Sequence, residues 1–168
     1  VTKAMEEHPV QVIQALNDIT IGCRDVAGLI EINSSVDGLS LTTYRSDALI
    51  IATATGSTGY ALSAGGPIMY PESEMILMQP VAAHSGLREG LIVPPNSTVV
   101  LCLAKNSKGA ISADGLENMP LDAGDRVAVT RSRYTASFLR FNPQQSFYDA
   151  FTRRLDSGYA PPQPPLAI

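Results

Sequence analysis

The segment Thr53-Ala54-Thr55-Gly56-Ser57-Thr58-Gly59-Tyr60-Ala61-Leu62-Ser63-Ala64-Gly65-Gly66-Pro67-Ile68 holds residue types that can do chemistry at close quarters. Small residues let a backbone approach a ligand, and the hydroxyls of Thr55, Thr58 and Ser63 adapt as donor or acceptor. Tyr60 adds a stacking face with a polar tip, and Gly59 leaves room beside it. A nucleotide-binding loop is the chemistry such a run supports; a plain Gly/Ser/Thr loop is the alternative. Upstream, Asn17-Asp18 interrupts apolar residues. An amide beside a carboxylate can bracket ribose hydroxyls, the amide donating and accepting, the carboxylate accepting. A polar turn between strands would use the same pair. Arg45 and Asp47 precede the run, where an arginine can meet a phosphate in a bidentate fashion; a solvated strand end explains them equally. His84 has the side chain of a general base but reads more simply as a residue that orders a loop. Asp114-Gly115 reads first as a turn and second as a ligand contact.

Those residues need a scaffold, and the pattern predicts a β one. Ile30, Ile32 and Val36 share one face of Leu29 to Val36. Asp37-Gly38 is a two-residue hairpin turn, and Leu39, Leu41 and Thr43 are expected to resume the inward alternation. Ala48 to Ala52 reads as a buried strand that breaks into the hydroxyl-rich run. Ser57 is placed to cap a short helix over about Thr58 to Ala64, with Gly65 just past its end. Met75 to Gln79, Val99 to Leu103, Ala110 to Ser112, Val127 to Thr130 and Ala136 to Phe141 are further strand candidates, with 80–97 mostly loop. Asn142-Pro143 opens a helix that repeats Phe147, Phe151 and Leu155 on one face. The expected class is mainly β: an antiparallel sandwich with one or two short helices over residues 1–157. A Pro-rich tail follows over 158–168.

Composition narrows the function. A length of 168 residues suits one core. The formal net charge of −4 argues against a nucleic-acid partner, because such binders present basic stripes. The charged share of 17% is low, as expected where surface is hidden against another domain or subunit. Cys23 and Cys102 sit in no metal-binding pattern, and Cys102 lies in an apolar run as a buried reduced thiol would. No apolar run is long enough to span a bilayer, and the start carries no signal-like pattern. The expected setting is the cytoplasm, with no membrane and no metal held by this chain.

With these residues in view, the chain resembles the NAD kinase family, in its C-terminal domain. The family's pattern runs Asp-Gly, apolar residues, Thr-Pro-Thr-Gly-Ser-Thr-Ala-Tyr, then Ser-Ala-Gly-Gly-Pro. Here it reads Asp47-Ala48, Leu49 to Ala52, Thr53-Ala54-Thr55-Gly56-Ser57-Thr58-Gly59-Tyr60, then Ser63-Ala64-Gly65-Gly66-Pro67. Ala15-Leu16-Asn17-Asp18 resembles the family's Ala-Leu-Asn-Glu, Pro80 to Ser85 its Pro-x-x-x-His-Ser, and Ile111 to Gly115 its Ser-x-Asp-Gly. The resemblance implies a domain that binds the acceptor NAD, whose adenosine-ribose 2′-hydroxyl the whole enzyme phosphorylates to NADP. ATP or polyphosphate would be the donor, with Mg²⁺ on its phosphates.

The resemblance assigns Asn17 and Asp18 to NAD, and Thr55, Thr58, Gly59, Tyr60 and Ser63 to the adenosine and nicotinamide pocket. It assigns Asp47 to the vicinity of the nicotinamide ring, where a carboxylate favours the oxidised, cationic form. Arg45 would meet phosphate and Asp114 the ligand at a domain boundary. The family's Gly-Gly-Asp-Gly motif, with its catalytic aspartate, is absent from this sequence. The expectation is therefore a domain of a longer parent, catalytically silent alone, lacking the N-terminal α/β domain and assembling as a homodimer or homotetramer. Gly86 to Gly90 departs from the family's Arg-Pro pattern, so no role passes to Arg88. A lipid kinase of the same superfamily, which would need an apolar acyl channel, and a non-catalytic nucleotide sensor are the alternatives.

Overall fold

The computed structural model describes residues 11–25, 28–139 and Thr152. The chain divides into compact units at 1–134 and 135–168, and every element named below lies in the first. In chain order these are β1 (Asp18–Cys23), β2 (Ile30–Val36), β3 (Leu39–Ser46), β4 (Ala48–Ala52), a 3₁₀ turn (Gly56–Thr58), α1 (Tyr60–Ser63), β5 (Ile76–Val81), β6 (Leu91–Val93), β7 (Val99–Leu103), β8 (Gly109–Ala113), β9 (Glu117–Leu121) and β10 (Arg126–Val129).

The strands form a six-stranded sheet, β6-β5-β4-β1-β8-β9, and a four-stranded sheet, β10-β7-β2-β3. Their pairings are antiparallel. The core joins Ile19, Ile21, Leu49, Ile51, Met78 and Ile111 of the larger sheet to Ile30, Ile32, Tyr44, Leu101, Leu103 and Val127 of the smaller. This is the antiparallel sandwich that the periodicity predicts.

β4 explains its own unbroken apolar sequence. Leu49 and Ile51 face the sandwich, while Ile50 and Ala52 face a second cluster with Ala54, Ala61, Met69 and Leu77. A strand covered on both faces has no polar side to alternate with. Full burial of Ile50 and Leu77 contributes about 2 kcal/mol each to holding the Ala61 turn on the sheet.

The hairpin of β2 and β3 forms at Asp37 (φ 51°) and Gly38 (φ 80°), the left-handed backbone that such a turn requires. The inward face of β3 differs from expectation. Ser35 pairs with Ser40 but Ser34 with Thr42, so Leu41 is the extra residue of a β-bulge. A bulge shifts the side-chain parity by one. Tyr44 and Ser46 therefore enter the core, and Leu39 and Leu41 stand 76% and 40% exposed, with Thr43 exposed beside them.

Other expectations also change. β6 occupies three residues of the stretch read as loop, and β9 follows the Asp114-Gly115 turn where no strand was anticipated. Residues 136–139 form no strand. The helix expected from Asn142-Pro143 lies outside the described residues. No helix among the described residues is long and apolar enough to cross a membrane.

Candidate functional site

One end of the six-stranded sheet assembles the site. There β1 begins, β4 ends and β8 ends, with Asp18 opposite Ala52 and Ile19 opposite Ala113. After Ala52 the chain turns through Thr53. The Thr53 backbone N–H donates to the Asn17 carbonyl at 2.9 Å, and its Oγ1 donates to the Leu16 carbonyl at 2.8 Å. The hydroxyl-rich run is thereby tied to the Leu16-Asn17 segment. Gly56 is obligatory, because a Cβ there would overlap the Asn17 carbonyl oxygen.

Ser57 does not cap a helix. Its Oγ donates to the Ala54 carbonyl at 2.7 Å and accepts the Met69 N–H at 3.0 Å, bracketing the loop from within at zero exposure. The expected single helix is a 3₁₀ turn followed by the one-turn α1, whose N-cap is Gly59 and carries no side-chain cap. Its C-terminal end is closed as expected by Gly65 at φ 84°. The Gly65 N–H bonds to Leu62 and the Gly66 N–H to Ala61 at 2.8 Å, a Schellman closure. From β5, the buried Gln79 amide donates to the Ala64 carbonyl at 3.2 Å and fixes the end of α1 to the sheet.

Asp114 organises the facing wall. Its φ of 50° turns the chain into the left-handed region. Its carboxylate accepts the N–H groups of Leu16 (2.7 Å), Asn17 (2.7 Å) and Asp18 (3.1 Å), and its own N–H donates to the Asp18 carbonyl at 3.0 Å. Burial works to raise its pKa, but those backbone donors outweigh burial and hold it below the ordinary aspartate value. Asp18 moves the other way. Burial raises its pKa, the Thr20 hydroxyl donating to it at 3.0 Å opposes the rise, and the neighbouring Asp114 charge adds to it.

These walls enclose a cleft of about 660 Å³. It brings together the predicted Asn17, Asp18, Thr55, Thr58, Gly59, Tyr60 and Asp114. It includes Gly115 of the Asp114-Gly115 pair, and adds Thr20 and Ser112, which sequence reasoning missed. Thr20 lies two residues from Asp18, Ser112 two from Asp114, and the two face each other across β1 and β8. Period-two spacing from the aspartates was the available signal. Tyr60, 48% exposed, presents its ring at the rim.

Arg45, Asp47 and Ser63 do not line the cleft. Ser63 is exposed near the end of α1. Asp47 sits at the opposite end of β4 from Thr53, roughly 20 Å away at strand rise. Arg45 is further back still, bridged by its backbone to Ser85. His84 is exposed and its N–H donates to the Arg45 carbonyl at 2.8 Å, so its segment extends the edge of β3. No group of His, Cys, Asp or Glu side chains suited to a metal ion converges among the described residues. The Asp114 oxygens in particular are already taken by backbone donors.

Comparison with known proteins gives a consistent answer. Residues 16–141 match the family model described as the ATP-NAD kinase C-terminal domain. The chain is 38% identical over 141 residues to an NAD kinase of Chloroflexus aggregans, covering 84% of this chain and 51% of that protein. It is 35% identical over 140 residues to an NAD kinase of Dehalococcoides mccartyi, covering 83% and 49%. Among solved structures, an Archaeoglobus fulgidus NAD kinase in complex with ATP superimposes with a TM-score of 0.72 at 30% identity, over 83% of this chain and 53% of that one. A yeast NADH kinase complexed with NADH gives 0.77 at 28%, over 89% and 44%. The chain spans about half the length of the curated relatives it matches.

Proposed function

The chain belongs to the NAD kinase family through its C-terminal domain, and we propose that it is the part that binds the dinucleotide acceptor. The observation that carries this reading is the cleft: an amide, a carboxylate, hydroxyls on both walls and an aromatic rim around about 660 Å³, a size suited to a nucleotide moiety. The Asn17 amide and Asp18 carboxylate would hold ribose hydroxyls, with Thr20 orienting the carboxylate. Tyr60 would stack on a base or ring. The hydroxyls of Thr55, Thr58 and Ser112 would complete the polar contacts, and Gly59 and Gly115 leave room for close approach.

The reaction we assign to the whole enzyme is transfer of a phosphoryl group from ATP or polyphosphate to the adenosine-ribose 2′-hydroxyl of NAD, giving NADP. Positioning of the acceptor is this domain's contribution. The described residues offer no set that fits Mg²⁺, so Mg²⁺ would arrive with the donor phosphates. Among the described residues of the cleft the one carboxylate left for the ligand is Asp18, assigned here to holding ribose hydroxyls; Asp114 is engaged by the backbone and His84 lies outside the cleft. We therefore infer that these residues alone do not turn over. The cytoplasm fits the free, half-buried Cys23 and Cys102. Self-association as a dimer or tetramer fits the exposed Leu39 and Leu41, and light scattering that finds only monomer removes that part of the proposal.

Calorimetric titration of NAD tests the main reading. We expect saturable binding to the 168-residue chain and at least a tenfold loss in Asn17→Ala, about 1.4 kcal/mol. Absence of binding by the folded chain overturns it. NADP formation by the chain alone with ATP and Mg²⁺ would overturn the inference of silence.

A further inference from the structure

We propose that the pocket between the Pro94–Ser97 turn and the Thr130–Arg133 segment binds the phosphate groups of an oligophosphate anion, at a site separate from the cleft. The pocket holds about 320 Å³. Pro95, Asn96 and Ser97 form one wall; Arg131 and Arg133 stand on the other, with Ser132 between them. Two arginines and no acid line it, in a chain whose net charge is −4. Guanidinium forks match phosphate oxygens in pairs, and the amide and hydroxyls supply neutral partners.

Both arginines are ordered before any ligand arrives. Arg131 donates one NH₂ group to Glu74 at 2.6 Å. Arg133 donates one to the Tyr134 hydroxyl at 2.9 Å, and its guanidinium carbon stands 5.0 Å from the centre of that ring. Each guanidinium carries further N–H groups beyond the one so used. The opposite wall is stiff: Pro94 and Pro95 restrict the backbone, the Ser97 N–H closes on the Pro94 carbonyl at 3.1 Å, and Ser97 is 3% exposed. Glu74 offsets one positive charge, and the Asp37 carboxylate near this wall accepts the Thr98 N–H. Of these charged groups only the two arginines line the pocket itself.

Its place relative to the cleft follows from the strand register. β6 ends at Val93, opposite Ile76, and Leu77 pairs with Ala52. The turn after β6 and the loop after β4 therefore leave the same end of the six-stranded sheet. They are about two strand spacings apart, roughly 10 Å. The two sites share no lining residue.

The test is a titration of inorganic tripolyphosphate into the isotope-labelled full chain at low salt, followed by amide and arginine Nε–H resonances. We expect shifts at Asn96, Ser97, Arg131 and Arg133. Arg133→Gln should weaken binding about tenfold, and Arg131→Gln with it further still. Both side chains are exposed, so the variants should remain folded, which the unperturbed core resonances would show. ATP should shift the same residues and adenosine should not, which separates recognition of the phosphates from recognition of a base. The proposal is overturned if the variants bind tripolyphosphate as the parent does, or if the shifts fall on Asn17, Thr58 and Gly115. NAD titrated alone reports on those cleft residues, so this proposal and the assignment of the cleft fail separately.

Discussion

The molecule makes an Asp-Gly turn twice, at Asp37-Gly38 and at Asp114-Gly115, with nearly the same backbone. The aspartates have φ of 51° and 50° and the glycines 80° and 71°. Each aspartate also exchanges bonds with one residue of a neighbouring segment. Asp37 donates its N–H to the Thr98 carbonyl and accepts the Thr98 N–H. Asp114 does the same with Asp18. The difference lies in what else each carboxylate holds. Asp114 also takes the N–H groups of Leu16 and Asn17 and so builds a wall of the cleft. The local sequence fixes the turn, and the segment packed against it decides whether the turn merely closes a hairpin or shapes a site.

Replacing the aspartates separates those roles most sharply. Asp114→Ala frees the N–H groups of Leu16, Asn17 and Asp18 together, and we expect a loss of about 2–3 kcal/mol in chemical denaturation. Nucleotide affinity should fall by more than tenfold in the same variant, because Asn17 and Asp18 lose their support. Equal affinity in a folded Asp114→Ala would show that the wall forms without it.

Acid should act on Asp114 and Asp18 in opposite senses. The folded pKa of Asp114 is depressed, so its contribution is present above the unfolded value near 3.8 and is lost as pH falls through the folded value. The stability gap between the parent and Asp114→Asn should therefore close in acid. Asp18 has the opposite sign, its folded pKa being raised, so acid protonates it in the native state before the unfolded one. An acceptor role for Asp18 in the cleft predicts that affinity for NAD declines on acidification before stability does, which titrations across pH would reveal.

The glycines should not distinguish the turns. A Cβ at Gly38 or Gly115 meets nothing, so alanine costs only the left-handed backbone, about 1–2 kcal/mol at either position. Thermal melts that differ strongly between the two variants would refute this. The smallest effect is expected for Asp37→Ala: about 1 kcal/mol from one lost bond, with NAD binding in the cleft unchanged.

The same contrast shows what could be read in advance. Both turns were visible as Asp-Gly, and the hydroxyl-rich run marked one cleft wall by its composition. The other wall was not visible as a wall, since Thr20 and Ser112 become site residues only when β1 and β8 pair. β6 was hidden because Leu91-Ile92-Val93 is short and lies between Gly90 and Pro94; β9 was hidden by Pro120, which an edge strand tolerates. Ser57 looked like a cap because the helix ran downstream of it, but its hydroxyl serves Met69, twelve residues on. Arg45 and Asp47 adjoin the run in sequence, yet an intervening strand carries them to the far end of the sheet.

β4 has strands hydrogen-bonded along both edges and side chains packed over both faces. The loop bearing Thr55 to Tyr60 springs directly from its end. Amides of Leu49 to Ile51 should then be among the last to exchange with solvent deuterium, opening only when the whole domain does. The loop a ligand would meet in the cleft is thus rooted in an anchor that does not yield, and any adjustment of shape would fall to the Leu16–Asp18 wall and the Tyr60 rim.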